Sequence, residues 1–516
     1  MQAQYRRPGT MWYVSDGWIW DELPLRPRHA RRALECASRL FIFNPQMRRA
    51  KVQARFYHAD RAPTSVEVSV AAGRLEALSL ETLAAVPHRQ AFWIAVESDI
   101  PVLPQARHED YTFWDLVPDA MTAVAPYPGP LRDETRWIFP DCYESEPDGP
   151  WYERETLTIL NPNPRKVTVQ VQYCFRYLKG GAEEEIEIPA ERVAALNVWE
   201  RRPRPIGRRG APGVGVFGDY CVYVDASHPV IAQTTRRARW SGYPQIIGSR
   251  STMGVPRGGA SLWYYPGGEI MDHGVLPRAK ATDHPLSQCD NTWNLLFVNN
   301  PNDTAATASV TFHAPDGRRQ TAQPLPIAPR RSILESLHAA PWLGRYTHVG
   351  QPYALTVTAD QPVVPDICGA EFELWSQVMP GAMTAVNMYP GPVRGERTWW
   401  LGIGQAGGDN DVNAEWRQSY HLFNPGRRMV RVTLSFLGLV SRRRPVTRTV
   451  EVAAGGVAVV RSEEVRDLPM HEPFAVKAEA EAPFCAQTFG RTFTRGLRHT
   501  RAMSSAMGVP MRLTEG

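Results

Sequence analysis

Apolar and polar residues alternate along long stretches of the chain. Val167, Val169, Val171, Tyr173, Phe175 and Tyr177 share one parity, while Thr168, Gln170, Gln172, Cys174 and Arg176 take the other. Period-two alternation of β-branched and aromatic residues predicts a strand with one buried face. The same register recurs in Val430, Val432, Leu434 and Phe436 against Arg431, Thr433 and Ser435. It recurs again in Val52, Ala54 and Phe56, and in Ala308, Val310 and Phe312. A one-residue slip would turn each apolar set outward, so a register kept four times is informative.

Each alternating segment follows an apolar run that stops at Asn-Pro. The runs are Phe41–Pro45, Thr158–Pro162, Phe297–Pro301 with Asn300, and His421–Pro425. Asn before Pro ends a strand and opens a turn, because Pro restricts its predecessor and donates no hydrogen bond. Further turns follow at Ala71-Ala72-Gly73, Pro189-Ala190-Glu191, Ala328-Pro329-Arg330 and Ala453-Ala454-Gly455. Pro-led strands then begin at Pro101, Pro229, Pro362 and Pro483, and each unit opens on a tryptophan, Trp12, Trp137, Trp263 or Trp400. Short strands at this spacing, without helical periodicity, predict an all-β fold of antiparallel β-sandwiches.

The units form two pairs. Ala120-Met121-Thr122-Ala123-Val124 with Tyr127-Pro128-Gly129-Pro130 returns as Ala382-Met383-Thr384-Ala385-Val386 with Tyr389-Pro390-Gly391-Pro392. Met253-Gly254-Val255-Pro256 returns as Met507-Gly508-Val509-Pro510. The pattern is four tandem sandwiches in an A-B-A-B order, spanning 1–130, 131–257, 258–394 and 395–516. Neighbours are joined by segments short enough to keep them packed.

Composition changes this picture little. The net charge of +5 over 516 residues is too dilute to argue for nucleic acid. The clusters Arg201-Arg202-Pro203-Arg204, Arg208-Arg209 and Arg442-Arg443-Arg444 read as solvated loops or strand ends. Seven cysteines without a CxxC pair argue against a disulfide framework or a zinc ribbon and fit a reducing cytoplasm. The first residues lack the apolar stretch of a secretory signal, and no apolar run is long enough for membrane insertion.

One ordered set of features resembles the sensory rhodopsin transducer family. It runs from Thr135-Arg136-Trp137-Ile138-Phe139-Pro140-Asp141, through Arg154-Glu155-Thr156-Leu157-Thr158-Ile159-Leu160-Asn161, to His228–Arg236 with Gln233. The second repeat carries all three parts. The fourth keeps Trp400, Asn424, Gln487 and a shifted Arg491, with Gln418 in the place of Glu155. The first keeps Trp12, Asp16 and Gln105, with His108 in the Arg position and Ser38 in the Glu position. The third keeps Trp263, but Asp366 and Gly369 replace Gln and Arg. The resemblance implies a soluble transducer that interacts with a microbial sensory rhodopsin, or a binder of sugars and related metabolites. Its single-domain member assembles as a tetramer. Four fused repeats would then be a covalent pseudo-tetramer, twofold in symmetry if the A-B alternation governs packing, and a monomer or small homo-oligomer in solution.

Trp137, Asp141, Glu155, Gln233 and Arg236 lie on strands expected to be neighbours, so they could meet at one rim. An indole face beside carboxylate, amide and guanidinium groups suits a sugar or sugar acid. The alternative is a core tryptophan with a structural ion pair. Glu144, Glu146, Asp148 and Glu153 offer paired carboxylates of the kind that hydrolyse glycosides, or a solvated acidic loop. Gly407-Gly408-Asp409-Asn410-Asp411 lacks EF-hand spacing, and His108-Glu109-Asp110 is the most ligand-like histidine group, so no metal is assigned. No nucleotide or dinucleotide fingerprint opens a helix, so no cofactor and no catalytic residue are assigned. Three readings follow: a small-molecule binder, a scaffold or transducer with a protein partner, and a carbohydrate-active enzyme with a site between sandwiches.

Overall fold

The computed structural model describes residues 10–18, 36–86, 90–110, 120–145, 151–176, 180–201, 204–206, 218–240, 246–256, 258–270, 292–339, 341–372, 380–393, 396–409, 414–438, 440, 444–469, 472–494 and 500–511. Those residues are nearly all strand and turn, with single 3-10 turns at Leu80–Thr82, Val198–Glu200 and Ser462–Glu464.

The alternating segments form the strands Ala50–Tyr57, Val167–Phe175, Ala306–His313 and Val430–Leu437. Their apolar faces are buried as the pattern requires; Val167, Val169, Val171 and Tyr173 are all fully covered. Tyr177 lies outside the described residues. In the first repeat one sheet runs Thr64–Val70, Ala50–Tyr57, Ala91–Ser98, Met11–Trp18, Tyr127–Pro128. The second runs Leu75–Ser79, Cys36–Phe43, Leu103–Asp110, Ala120–Val124. Every pairing is antiparallel. The same order of strands returns around Trp137 and around Trp399. Around Trp263 the two sheets are joined, because the continuous strand Pro352–Phe372 serves both.

Two side-chain devices recur. Asn44, Asn161, Asn300 and Asn424 are fully buried. Each Nδ2 donates to three carbonyls, as Asn161 does to Arg165, Ile188 and Pro189 at 2.8, 3.0 and 2.9 Å. Each Oδ1 accepts the N–H two residues on. The amide thus satisfies a turn and the end of a neighbouring strand at once. The second device is an indole Nε1–H given to a carbonyl of the Pro-led strand. Trp12, Trp137 and Trp263 donate to Val102, Val230 and Val363, all at 2.9 Å, and Trp399 donates to Phe484 at 2.7 Å. Trp399, not Trp400, therefore holds the recurring position in the fourth repeat. Trp400 points the other way and meets Phe43 of the first repeat at 5.3 Å. Two adjacent tryptophans on one strand face opposite sides, which the tryptophan count did not resolve.

Each core also takes in residues from the preceding repeat. Tyr13, Tyr57 and Trp93 join the core of the second, and Ile138, Cys174 and Tyr223 that of the third. Tyr264, Ala354 and Tyr389 join that of the fourth, and Trp400, Ile403 and Ala475 close onto the first. The polar contacts follow the same cycle. Arg55 pairs with Glu191 at 2.7 Å, Arg330 donates to Gln172 at 3.1 Å, His313 Nδ1 meets the Gly455 carbonyl at 3.1 Å, and Arg74 bridges Gly438. Glu191, Arg330 and Gly455, with Gly73, all have left-handed backbone, with φ of 54, 55, 65 and 64°. Only glycine adopts this at no steric cost, so Glu191 and Arg330 are held there by the contacts they make. The equivalent turn of each repeat thus meets its neighbour, through four chemically different contacts.

Candidate functional site

Of the residues expected to meet in the second repeat, Asp141, Glu155 and Arg236 come together, while Trp137 and Gln233 do not join them. Glu155, Arg236 and Arg250 lie opposite one another on three adjacent strands. Arg236 Nε donates to Glu155 at 2.9 Å, Nη2 to Asp141 at 3.2 Å and Nη1 to Glu153 at 3.4 Å. Arg250 donates to the other Asp141 oxygen, and the Arg236 guanidinium lies 5.5 Å from the Tyr143 ring. Burial alone would raise the Asp141 carboxyl, but the guanidiniums of Arg250 and Arg236 outweigh it and hold it at about 2. Trp137 is wholly in the core and Gln233 bonds Thr235. None of the charged residues among these is more than 7% exposed, so the cluster is an interior ion network and not a rim. Arg250 and Glu153 complete it, and motif reading missed Arg250 because the other repeats place Thr122, Thr384 and Ser504 there. Glu144 accepts from Arg154 and from the Glu155 N–H, so the two described acids of that loop are spent on pairs; Glu146 and Asp148 lie outside the described residues.

The corresponding positions diverge elsewhere. In the first repeat Ser38 Oγ lies 2.6 Å from His108 Nδ1, and His108 Nε2 lies 3.0 Å from Asp110. This Ser–His–Asp chain is at most 4% exposed, so no substrate carbonyl reaches Oγ in this arrangement. Glu109 turns to Arg107 at 2.8 Å, and the described residues hold no group of three potential metal ligands. Gln105 accepts from the Ile403 N–H of the fourth repeat. The side chain of Asp16 lies outside the described residues. In the fourth repeat Arg491 reaches Glu371 of the third at 3.0 Å, while Gln418 accepts from Thr488 and Gln487 is fully buried. Asp366 stands in the place of Gln105, Gln233 and Gln487; burial, then the charge of Asp141, pushes its carboxyl up to about 8. Of the basic clusters, Arg201 pairs with Glu184, and Arg202, Arg208, Arg209, Arg442 and Arg443 lie outside the described residues, as do Asn410 and Asp411.

An open site lies elsewhere. The strands Ala120–Val124, Ile246–Met253, Pro380–Asn387 and Thr500–Met507 pack together, the first and third each touching the second and fourth. They are short and carry small residues on the packed faces (Ala123, Ser251, Ala385, Ser505), which lets four sheets approach one axis. Where they end, residues 123–128, 251–256, 385–388 and 505–509 surround a cavity of about 130 Å³. Its wall includes Pro126, Met253, Asn387, Met388 and Met507, contributed by all four repeats. The repeated motifs of the sequence thus mark this cavity, although their spacing alone did not show that they meet.

Residues 8–125 match the family described as Anabaena sensory rhodopsin transducer. The match falls on the first repeat, whereas the motif set is fullest in the second. The crystal structure of Thermotoga maritima 1070 is similar, at 20% identity over 22% of this chain and 93% of that one, with a TM-score of 0.19. The Anabaena sensory rhodopsin transducer structure is 21% identical over 19% of this chain and 84% of its own, with a TM-score of 0.15. No curated protein matches the sequence. Among the described residues no helix is long and apolar enough to cross a membrane. The resemblance read from the repeat motifs is therefore to the Anabaena sensory rhodopsin transducer family, carried at sequence level by residues 8–125.

Proposed function

We propose that the chain is a transducer-like binding protein that receives a small molecule in the axial cavity. The observation that carries this reading is that equivalent segments of all four repeats converge on one open, mostly apolar cavity. The charged cluster of the second repeat supports the reading by contrast, since its hydrogen-bonding capacity is consumed internally. A sugar needs many directional partners, and an apolar wall offers few, so the ligand is an apolar molecule in preference to a carbohydrate. The chain divides near 131, 258 and 395 into four sandwiches that close on themselves as a monomer. Five described cysteines are free and buried, in keeping with a cytoplasmic setting.

A signalling role with a protein partner is the second reading. The matched family is named for a sensory rhodopsin transducer. Met47 and Met429, beside Arg48-Arg49 and Arg427-Arg428 on two of the Asn-Pro turns, are 96% and 57% exposed.

A thermal-shift screen of small apolar molecules tests the first reading, because a ligand at a hundred times its Kd adds about 2.7 kcal/mol. Hits should vanish in Met388→Trp, which fills the cavity, and persist in Glu155→Gln. Hits lost in Glu155→Gln and kept in Met388→Trp would reject it.

A further inference from the structure

Cys174 and Cys221 stand directly opposite each other on the adjacent strands Val167–Phe175 and Gly218–Ala226. Opposed residues of an antiparallel pair point to the same face, so the two thiols are neighbours. The Arg176 N–H donates to the Asp219 carbonyl at 3.0 Å, which makes that pair a hydrogen-bonded one, and by alternation the cysteine pair two residues along is another. The α-carbons of such a pair lie about 5.5 Å apart, within the range that a disulfide spans.

Packing does not ask for sulfur at this position. The equivalent opposed pairs of the other repeats are Tyr57 with Trp93, His313 with Ala354 and Leu437 with Ala475. Repeat two alone sets two cysteines there, on the face that meets repeat three. Arg330 and Arg331 of repeat three lie beside Cys174, and Ser332 lies beside Cys221. Contact with Cys221 and then the two guanidiniums lower the Cys174 thiol while burial opposes them; contact with Cys174 and burial raise the Cys221 thiol. The more acidic cysteine is also the more open, at 8% exposed against 1%.

We propose that Cys174 and Cys221 are a peroxide-reactive pair that closes reversibly to a disulfide. The Cys174 thiolate attacks one oxygen of hydrogen peroxide. An S–O bond forms, the O–O bond breaks, and the leaving hydroxide takes up the proton that Cys174 gave, as water. The Cys221 thiol then attacks the sulfenic sulfur. An S–S bond forms, the S–O bond breaks, and the departing hydroxide with the Cys221 proton is a second water. Two thiols are oxidised and one peroxide is reduced, and a thiol reductant restores the pair. So narrow an opening suits an oxidant of peroxide size and not a bulky disulfide. Closure turns the sulfurs toward each other and away from Arg331 and Ser332, so oxidation loosens the contact of repeat two with repeat three. A disulfide that forms and breaks in this way is the kind a reducing cytoplasm permits.

The test is peptide mapping of the native full chain after dilute hydrogen peroxide, followed by alkylation in urea without reduction. Trypsin should release residues 167–176 linked to residues 210–236, and dithiothreitol should separate them. Cys142, Cys368 and Cys485 stand opposite Tyr220, Leu295 and Phe423, so they should be recovered as alkylated free thiols. In Cys221→Ser the link should be lost and dimedone should trap Cys174 as its sulfenic acid adduct. In Cys174→Ser neither product should form. Both thiols left free by peroxide in the native chain, or linked only when peroxide acts in urea, would overturn the proposal.

Discussion

The carboxamide oxygen of Gln105 accepts the backbone N–H of Ile403 at 2.5 Å, joining residues 298 positions apart. The approach depends on Gly402, whose φ is +76° and whose Cβ, if present, would lie 2.7 Å from that same oxygen. Gln105→Leu leaves a buried N–H without a partner. It should lower stability by about 1–3 kcal/mol, read as a drop in Cm at unchanged m in a urea titration. A change below about 0.5 kcal/mol, the scale of ordinary surface substitutions, would mean that this contact does not hold the first and fourth repeats together.

Trp399 and Trp400 should separate two roles. Trp400→Ala removes an indole that is 4% exposed and packed on Phe43 of another repeat. A cost of about 3–5 kcal/mol is expected, with faster amide exchange along Cys36–Phe43 as the local readout. If exchange there is unaffected, the junction does not depend on this ring.

Asn161 serves three carbonyls and one N–H. Asn161→Ala should cost about 3 kcal/mol, since several buried groups lose their partner together. Asn161→Asp should be no better, because a carboxylate cannot donate to those carbonyls. Calorimetry of both variants checks this, and an Asp variant as stable as the wild type would contradict it.

Two carboxyls give opposite pH dependences. The Asp366 carboxyl is held at about 8, above its ordinary 3.8, so the folded state binds that proton more tightly. Its contribution is fully present below about pH 4 and is lost as pH rises through 8. Asp366→Asn should therefore gain stability over the wild type across that window, by a few kcal/mol, and level off above it. The Asp141 carboxyl is held at about 2, so its contribution is present above about pH 4 and is lost as pH falls toward 2. Asp141→Asn should cost more at pH 7 than at pH 2. Denaturant titrations at pH 2, 4, 7 and 9 resolve both trends, and parallel curves for wild type and Asp366→Asn would contradict the first.

Alternation and turn chemistry made the strands legible. Val167–Phe175 and its counterparts follow period two, and Asn44, Asn161, Asn300 and Asn424 end their strands where Pro requires it. The strand order was not legible: Arg136–Glu144, the strand of Trp137, was expected beside Trp151–Asn161 and Ile231–Trp240 and lies in the other sheet. The packing of repeat on repeat was not legible either, because Tyr13, Ile138, Tyr264 and Trp400 show the same alternation whether they face their own core or a neighbour's. The charged residues of the second repeat were found, but sequence gives residue type and not burial, so an interior ion network read as a rim. Arg250 escaped because it has no counterpart in the other repeats.

The most direct test of the account is a methyl spectrum of the protein carrying 13C-labelled methionine, titrated with toluene. Met253, Met388 and Met507 line the axial cavity, while Met47 and Met429 are exposed on turns that it does not include. The account predicts that the first three signals shift together and saturate with one Kd while Met47 and Met429 stay in place. Shifts confined to Met47 and Met429, or no saturable shift at the three axial methionines, would contradict it.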